Sequence, residues 1–158
     1  MSAAVGRLLR QSRQTLSVAE SCTGGMISAL LTDIPGSSDY FRGGIVAYAN
    51  DAKEEWLGVE RTTLERHGAV SEEAAREMAA GARKRFESDL AAAVTGIAGP
   101  DGGTPEKPVG TVWFGLADER EASARSRRFV GDRAMIRRAA SLFALELVRR
   151  RITGSKHE

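Results

Sequence analysis

Ser21 and Cys22 stand in Ala19-Glu20-Ser21-Cys22-Thr23-Gly24-Gly25, where a short β-leaning run gives way to a helix-spaced segment. A hydroxyl or thiol at such a junction would face the free N–H groups and positive end of a helix, which could also steady an oxyanion. The placement follows the logic of a nucleophile elbow, although GxSxG itself is absent. Ser and Thr before Gly-Gly also cap helices routinely, so the pattern serves structure as readily as chemistry. Cys22 is the more reactive type where a helix N-terminus lowers its pKa, yet it would want a histidine base. The histidines are His67 and His157. His67, in Arg66-His67-Gly68, reads as a helix C-cap, which weakens a Ser-His-Asp triad. A Ser–Lys pair remains open.

Ala47-Tyr48-Ala49-Asn50-Asp51-Ala52-Lys53 leaves a second strand candidate. It could bring Tyr48 and Lys53 to the sheet end that carries Ser21. A lysine base must be neutral. With an ordinary pKa of about 10.4, roughly one lysine in a thousand is neutral near pH 7.4. Burial or a nearby cation can lower that pKa by several units, whereas an open surface cannot. A third candidate is the glycine-rich stretch Gly96 to Gly103, whose N–H groups could cradle phosphate or carboxylate. Neither a Walker A signature nor GxGxxG is present, so nucleotide triphosphate and dinucleotide sites lack support. The fourth is Gly131-Asp132-Arg133. Arg133 and Arg137 lie one turn apart and could face an anion together. Arginine in a first helical turn opposes the helix dipole; the plainer alternative is a pair with Asp132 or Glu119.

The elements that must position these residues alternate between helix and strand. Ala3 to Ser12 and Gly24 to Thr32 have helical spacing, and Asp51 to Leu57 reads as a short helix. Ser71-Glu72-Glu73 opens a helix whose Ala74, Met78, Ala82 and Phe86 share a face. Asp132 caps a final helix with the stripe Met135, Ile136, Ala139, Ala140, Phe143, Leu147 and Val148. Strands are expected at Thr15 to Ala19, Gly43 to Ala49, Leu90 to Val94, Thr111 to Ala117 and, on an edge, Ser123 to Val130. Interleaved strands and helices imply an α/β layered domain with a mixed, largely parallel sheet. Ligands of such sheets sit at the carboxyl ends of strands.

The 158 residues suit one domain over 1–158, with a core from about 6 to 150 and a basic, polar tail at 151–158. A hydrophobic share of 42% against 28% charged argues against disorder. No apolar run approaches the roughly 18 residues of a membrane span, and none near the N-terminus suits a signal peptide. One cysteine excludes an internal disulfide and fits a reducing cytoplasm. Two histidines and one cysteine make a zinc site improbable and leave a carboxylate site open, and no metal or cofactor is expected. The net charge of +2 does not announce a nucleic-acid binder, although Arg125 to Arg128 and Arg149 to Arg151 cluster.

Six segments together are distinctive. They are Ala19 to Gly25, Tyr48 to Lys53, His67-Gly68-Ala69-Val70-Ser71, Thr95 to Gly103, Lys107-Pro108-Val109-Gly110-Thr111-Val112, and Gly131-Asp132-Arg133. In this order they resemble the CinA C-terminal domain family, over about Gly6 to Arg150. Nicotinamide-nucleotide amidases belong to that family. The resemblance implies a single three-layer α/β/α domain that hydrolyses the carboxamide of nicotinamide mononucleotide, giving nicotinic acid mononucleotide and ammonia without metal. It implies Ser21 as nucleophile and Lys53 as base, with Tyr48 assisting proton transfer or placing Lys53. Thr23 and Gly24 are expected to supply oxyanion donors. Asn50, Gly96, Gly99 and Arg133 are expected to contact substrate, the glycine loop and Arg133 at its ribose and phosphate. A pyridinium near Lys53 would help lower its pKa. Asp51 stands where relatives often carry Glu. The chain holds no counterpart of the N-terminal domain of full-length CinA proteins, so that domain's pyrophosphatase activity is not expected. A homo-oligomer is expected, with Phe41 and Trp56-Leu57 as apolar candidates to serve a partner or line the pocket. The alternatives are a binding or regulatory module tied to competence or DNA damage, or an amidase for another pyridine amide.

Overall fold

In the computed structural model, residues 1–154 are described. One five-stranded sheet runs in the order β2-β1-β3-β4-β5. Its strands are β1 (Leu16–Glu20), β2 (Phe41–Val46), β3 (Leu90–Gly96), β4 (Thr111–Ala117) and β5 (Ala122–Arg128). β1 pairs in parallel with β2 and β3, while β3–β4 and β4–β5 are antiparallel. The sheet is therefore mixed, its parallel half being β2-β1-β3. The helices are α1 (Ser2–Ser12), α2 (Met26–Thr32), α3 (Asn50–Leu57), α4 (Arg61–His67), α5 (Glu72–Phe86) and α6 (Arg133–Thr153), with a 3₁₀ turn at Ser37–Asp39.

Residue size sorts the two faces of the central strands. Leu16 and Val18 of β1, and Leu90, Ala92 and Val94 of β3, join the core under α1, α2 and α6. Ala19, Ala91 and Ala93 face the other layer, with Ala74, Met78, Ala79 and Ala82 of α5. Alternating side chains put one set on each face, and the alanine face lets α5 lie close. Gly115 of β4 shows how close: a methyl there would run into the Ala75 carbonyl. The Phe114, Phe129 and Phe143 rings meet edge to face at 4.9–6.1 Å on the other layer.

The caps are where the sequence points. Ser71 Oγ accepts from the Ala74 N–H at 3.2 Å, and Asp132 Oδ1 from Met135 N–H at 2.8 Å. Several boundaries differ from expectation. α2 starts at Met26 because Gly24 and Gly25 take φ of 61° and 92°, a left-handed turn outside any helix. β2 ends at Val46, so Tyr48 and Ala49 are extended linker. α6 continues to Thr153, past the expected core limit, and Arg151 pairs with Asp118 and Glu121. Met135 leaves the expected stripe: it is exposed, and neighbouring Ile136 fills the core position.

No described helix is long and apolar enough to cross a membrane. The second arginine cluster is neutralised, Arg149 and Arg150 by Glu146. In the first, Arg127 lies over the Phe129 and Phe143 rings at 5.4 and 4.7 Å. Of the apolar contact candidates, Leu57 is buried in the core, Phe41 half-buried and Trp56 exposed.

Candidate active site

The carboxyl ends of β1, β2 and β3 point the same way, and a cavity of about 210 Å³ opens there. Ser21, Cys22, Tyr48, Asn50, Lys53, Gly96 and Arg133 line it. Ala69 and Val70 of the α4–α5 loop, with Thr95 and Ala98, complete the wall. A larger cleft of about 720 Å³ includes Asp118, Glu121 and Arg151, which neutralise one another.

Ser21 is the first residue beyond β1. Its N–H donates to the Val94 carbonyl at 2.9 Å, and its carbonyl accepts from Gly24 N–H at 3.0 Å. Two charged side chains grip this turn. Glu20, wholly buried, accepts from the N–H groups of Gly25, Ile27 and Ser28 at 3.1, 3.0 and 2.8 Å, and from Ser28 Oγ at 2.8 Å. Arg137 of α6 donates to the Cys22 and Thr23 carbonyls at 3.1 and 2.8 Å. A Cβ at Gly24 would come within 3.1 Å of that guanidinium, which with its positive φ makes glycine the fitting residue.

These contacts bear on the expected oxyanion donors. The Gly24 N–H is engaged by Ser21, and the α2 end is occupied by the Glu20 carboxylate rather than open to a ligand. Thr23 is 0% exposed and does not line the cavity; its Oγ1 has no partner among the described residues. The turn residue after Ser21 that does line the cavity is Cys22. Burial pushes its thiol up to about 11, against the pull of Arg137 and Arg133. Such a thiol is protonated at neutral pH, unlike the activated cysteine of a helix N-terminus.

Lys53 is only 1% exposed. Its Nζ donates to the Tyr48 carbonyl at 3.0 Å and the Ala49 carbonyl at 3.4 Å. Burial holds its pKa below the ordinary value, with Cys22 and Asp51 acting in the opposite sense. Tyr48 thus touches Lys53 through its carbonyl. Its phenol, on a residue 60% exposed, instead accepts from Arg133 at 3.0 Å. Arg133 also donates to the Gly99 carbonyl at 2.8 Å, tying the glycine loop to the start of α6. It pairs with neither Asp132 nor Glu119. Gly99 does not itself line the cavity.

His67 ends α4 and lies 3.5 Å from Glu73, outside the cavity, so a triad has no histidine there. His157 lies outside the described residues. Among the described residues, no three His, Cys, Asp or Glu side chains converge to hold a metal. Sequence reasoning missed Glu20, and read Arg137 as a partner of Arg133 when it faces the Ser21 turn. It also missed Thr95, whose hydroxyl holds the Ala69 carbonyl at 2.8 Å. Glu20 did carry a signal: a carboxylate closes a strand whose other residues suit a core.

A family profile described as the CinA C-terminal domain matches residues 1–152. A CinA-like protein of Geobacter sulfurreducens is 55% identical over 149 residues, covering 94% of this chain and 36% of the relative. A CinA-like protein of Thermotoga maritima is 49% identical over 154 residues, covering 98% and 38%. The chain thus spans little more than a third of these relatives. Among solved structures, a competence/damage inducible protein CihA from Agrobacterium tumefaciens superposes with TM-score 0.85 at 42% identity, covering 92% and 93%. The competence damage-inducible protein A from Klebsiella pneumoniae gives 0.94 at 34% identity, covering 98% and 96%.

Proposed function

Because the chain belongs to the CinA C-terminal domain family, we propose that it is an amidohydrolase that converts nicotinamide mononucleotide to nicotinic acid mononucleotide and ammonia. The observation that carries this reading is a buried lysine of lowered pKa lining the same small cavity as the serine that follows β1. Neutral Lys53 takes the hydroxyl proton as Ser21 Oγ attacks the carboxamide carbon. The Cys22 N–H is the donor assigned to the developing oxyanion, because Cys22 is the residue of the turn after Ser21 that lines the cavity. Collapse breaks the C–N bond, and Lys53 returns its proton to the leaving nitrogen, releasing ammonia. Water, deprotonated in turn by Lys53, then cleaves the acyl-serine to the carboxylic acid and restores Ser21.

Tyr48 serves through its carbonyl, which fixes Lys53. Arg133, Asn50, Gly96 and the glycine loop are the contacts proposed for the nucleotide part. No cofactor enters the scheme, and the proposed setting is the cytoplasm. The test is ammonia release from nicotinamide mononucleotide, without added metal, beside Ser21→Ala and Lys53→Ala. Release by the wild type alone supports the reading; release by folded Ser21→Ala overturns the nucleophile.

The competence and damage names of the relatives favour a second reading, a DNA-linked module. The paired arginines at Arg149 to Arg151 count against it. A salt-titrated DNA-binding assay separates the two, because phosphate contacts give steep salt dependence. A homo-oligomer is part of the proposal; light scattering that returns the 17.0 kDa monomer ends it.

A further inference from the structure

We infer that Glu20 is a positioning residue for the reaction at Ser21, an inference that rests on the hydrolytic reading above. Glu20 is adjacent to Ser21 in the chain and wholly buried, yet it faces no cation in an ion pair among the described residues. All four of its bonds go to the segment that follows Ser21: three backbone N–H groups and one hydroxyl. A buried carboxylate is costly to desolvate unless its oxygens are fully engaged, and these are. A core position would be filled more simply by an apolar residue.

The arrangement does one thing an apolar residue could not. It closes a loop from the end of β1 to the first turn of α2, with Ser21 to Gly24 inside it. On the other side, Arg137 holds the Cys22 and Thr23 carbonyls. The chain between these grips contains two glycines of positive φ, which by themselves leave the backbone freedom to move. Glu20 removes that freedom, and so sets where Ser21 Oγ and the Cys22 N–H stand relative to Lys53. It touches no substrate atom in this scheme. Misplacement of a reacting group by about 1 Å can cost on the order of 100-fold in rate.

The experiment compares wild type, Glu20→Gln and Ser28→Ala. Glu20→Gln keeps the shape but turns one acceptor into a donor, facing N–H groups it cannot satisfy. Ser28→Ala removes one of the four donors from outside the cavity. Each is measured for kcat and KM in ammonia release, for melting temperature, and for the rate at which a fluorophosphonate labels Ser21. The expected result is a fall in kcat of about 100-fold for Glu20→Gln and a smaller one for Ser28→Ala, with KM nearly unchanged. Labelling slows in parallel while both proteins remain folded at the assay temperature. A folded Glu20→Gln whose kcat and labelling stay within twofold of wild type overturns the inference. So does a loss of activity that merely tracks the fraction unfolded. Failure of the hydrolytic reading looks different: the wild type itself neither releases ammonia nor labels at Ser21.

Discussion

Below the pKa of Lys53, amidase activity is expected to rise tenfold per pH unit. The Nζ is buried and its two hydrogen bonds run to the Tyr48 and Ala49 carbonyls. A neutral amine has two N–H donors and one lone pair. The two carbonyls use both donors and leave the lone pair for a proton from Ser21. An ordinary lysine would be neutral in about one molecule per thousand at pH 7.4, and each unit of lowering multiplies that share by ten. Each unit also disfavours the charged form by about 1.4 kcal/mol. Burial supplies the lowering here. The assay is kcat/KM for ammonia release at constant ionic strength, from pH 5.5 to the alkaline limit of folding. The profile should climb with unit slope and level off below the ordinary lysine value. Lys53→Arg should be inactive at every pH, because a guanidinium keeps its proton. Stability gives an independent reading. Between the lowered folded value and about 10.4 for the unfolded chain, the unfolded state holds more protons, so stability rises with pH. That rise should vanish in Lys53→Met. A rate profile that Lys53→Arg retains refutes Lys53 as the base.

Cys22→Ala should keep kcat within a few-fold, since a thiol pushed up to about 11 supplies no thiolate near pH 7.5; loss of activity in a folded variant would return the nucleophile to Cys22. Arg133→Gln should raise KM about 10- to 100-fold for the phosphorylated substrate, the loss of one or two charge-assisted bonds, and far less for the nucleoside lacking phosphate; equal shifts for both would remove the phosphate role. Gly115→Ala should lose about 1–3 kcal/mol in urea unfolding, because its methyl meets the Ala75 carbonyl across the tightest part of the α5–sheet layer; an unchanged midpoint would contradict that packing. Glu146, held down to about 2 by Arg149 and then Arg150, should contribute about 1 kcal/mol after solvent screening. That contribution is complete above the ordinary carboxylate range and lost as pH falls towards 2, so Glu146→Gln should narrow the gap to wild type in acid; a gap independent of pH would contradict it.

Much of the layer architecture was legible because it rests on local rules. The small apolar run Leu90 to Val94 has the pattern of a strand buried on both faces, and Ser71 and Asp132 sit where a cap accepts its N–H. What the sequence could not give was direction. Tyr48 is next to the right place, yet whether it meets Lys53 through its phenol or its carbonyl depends on how the chain leaves β2. Arg133 and Arg137 are one helical turn apart, yet one faces the cavity and the other the Ser21 turn. Thr23 and Gly24 looked open in sequence; the Glu20 bonds and the Gly24 N–H bond that close the turn are set by its three-dimensional path. Ala69, Val70 and Thr95 stand in distinctive segments yet carried no expected role, because the α4–α5 loop meets β3 at the cavity only through tertiary packing.

The charge pattern carries the same lesson further. A net +2 says nothing about an anionic ligand, because the sum hides how each cation is held. Arg149, Arg150 and Arg151 face carboxylates, so their fields are largely cancelled. Around the cavity, Lys53, Arg133 and Arg137 are fixed by carbonyl oxygens instead, and none is within 4.0 Å of a carboxylate among the described residues. A carbonyl dipole orients a cation but leaves its net charge in place. The cations at the end of β1 therefore keep their charge, set against the buried Glu20 carboxylate, while those at the arginine-rich end of α6 are paired. Cations held in this way favour a phosphate nearby, whereas the lowering at Lys53 comes from its burial.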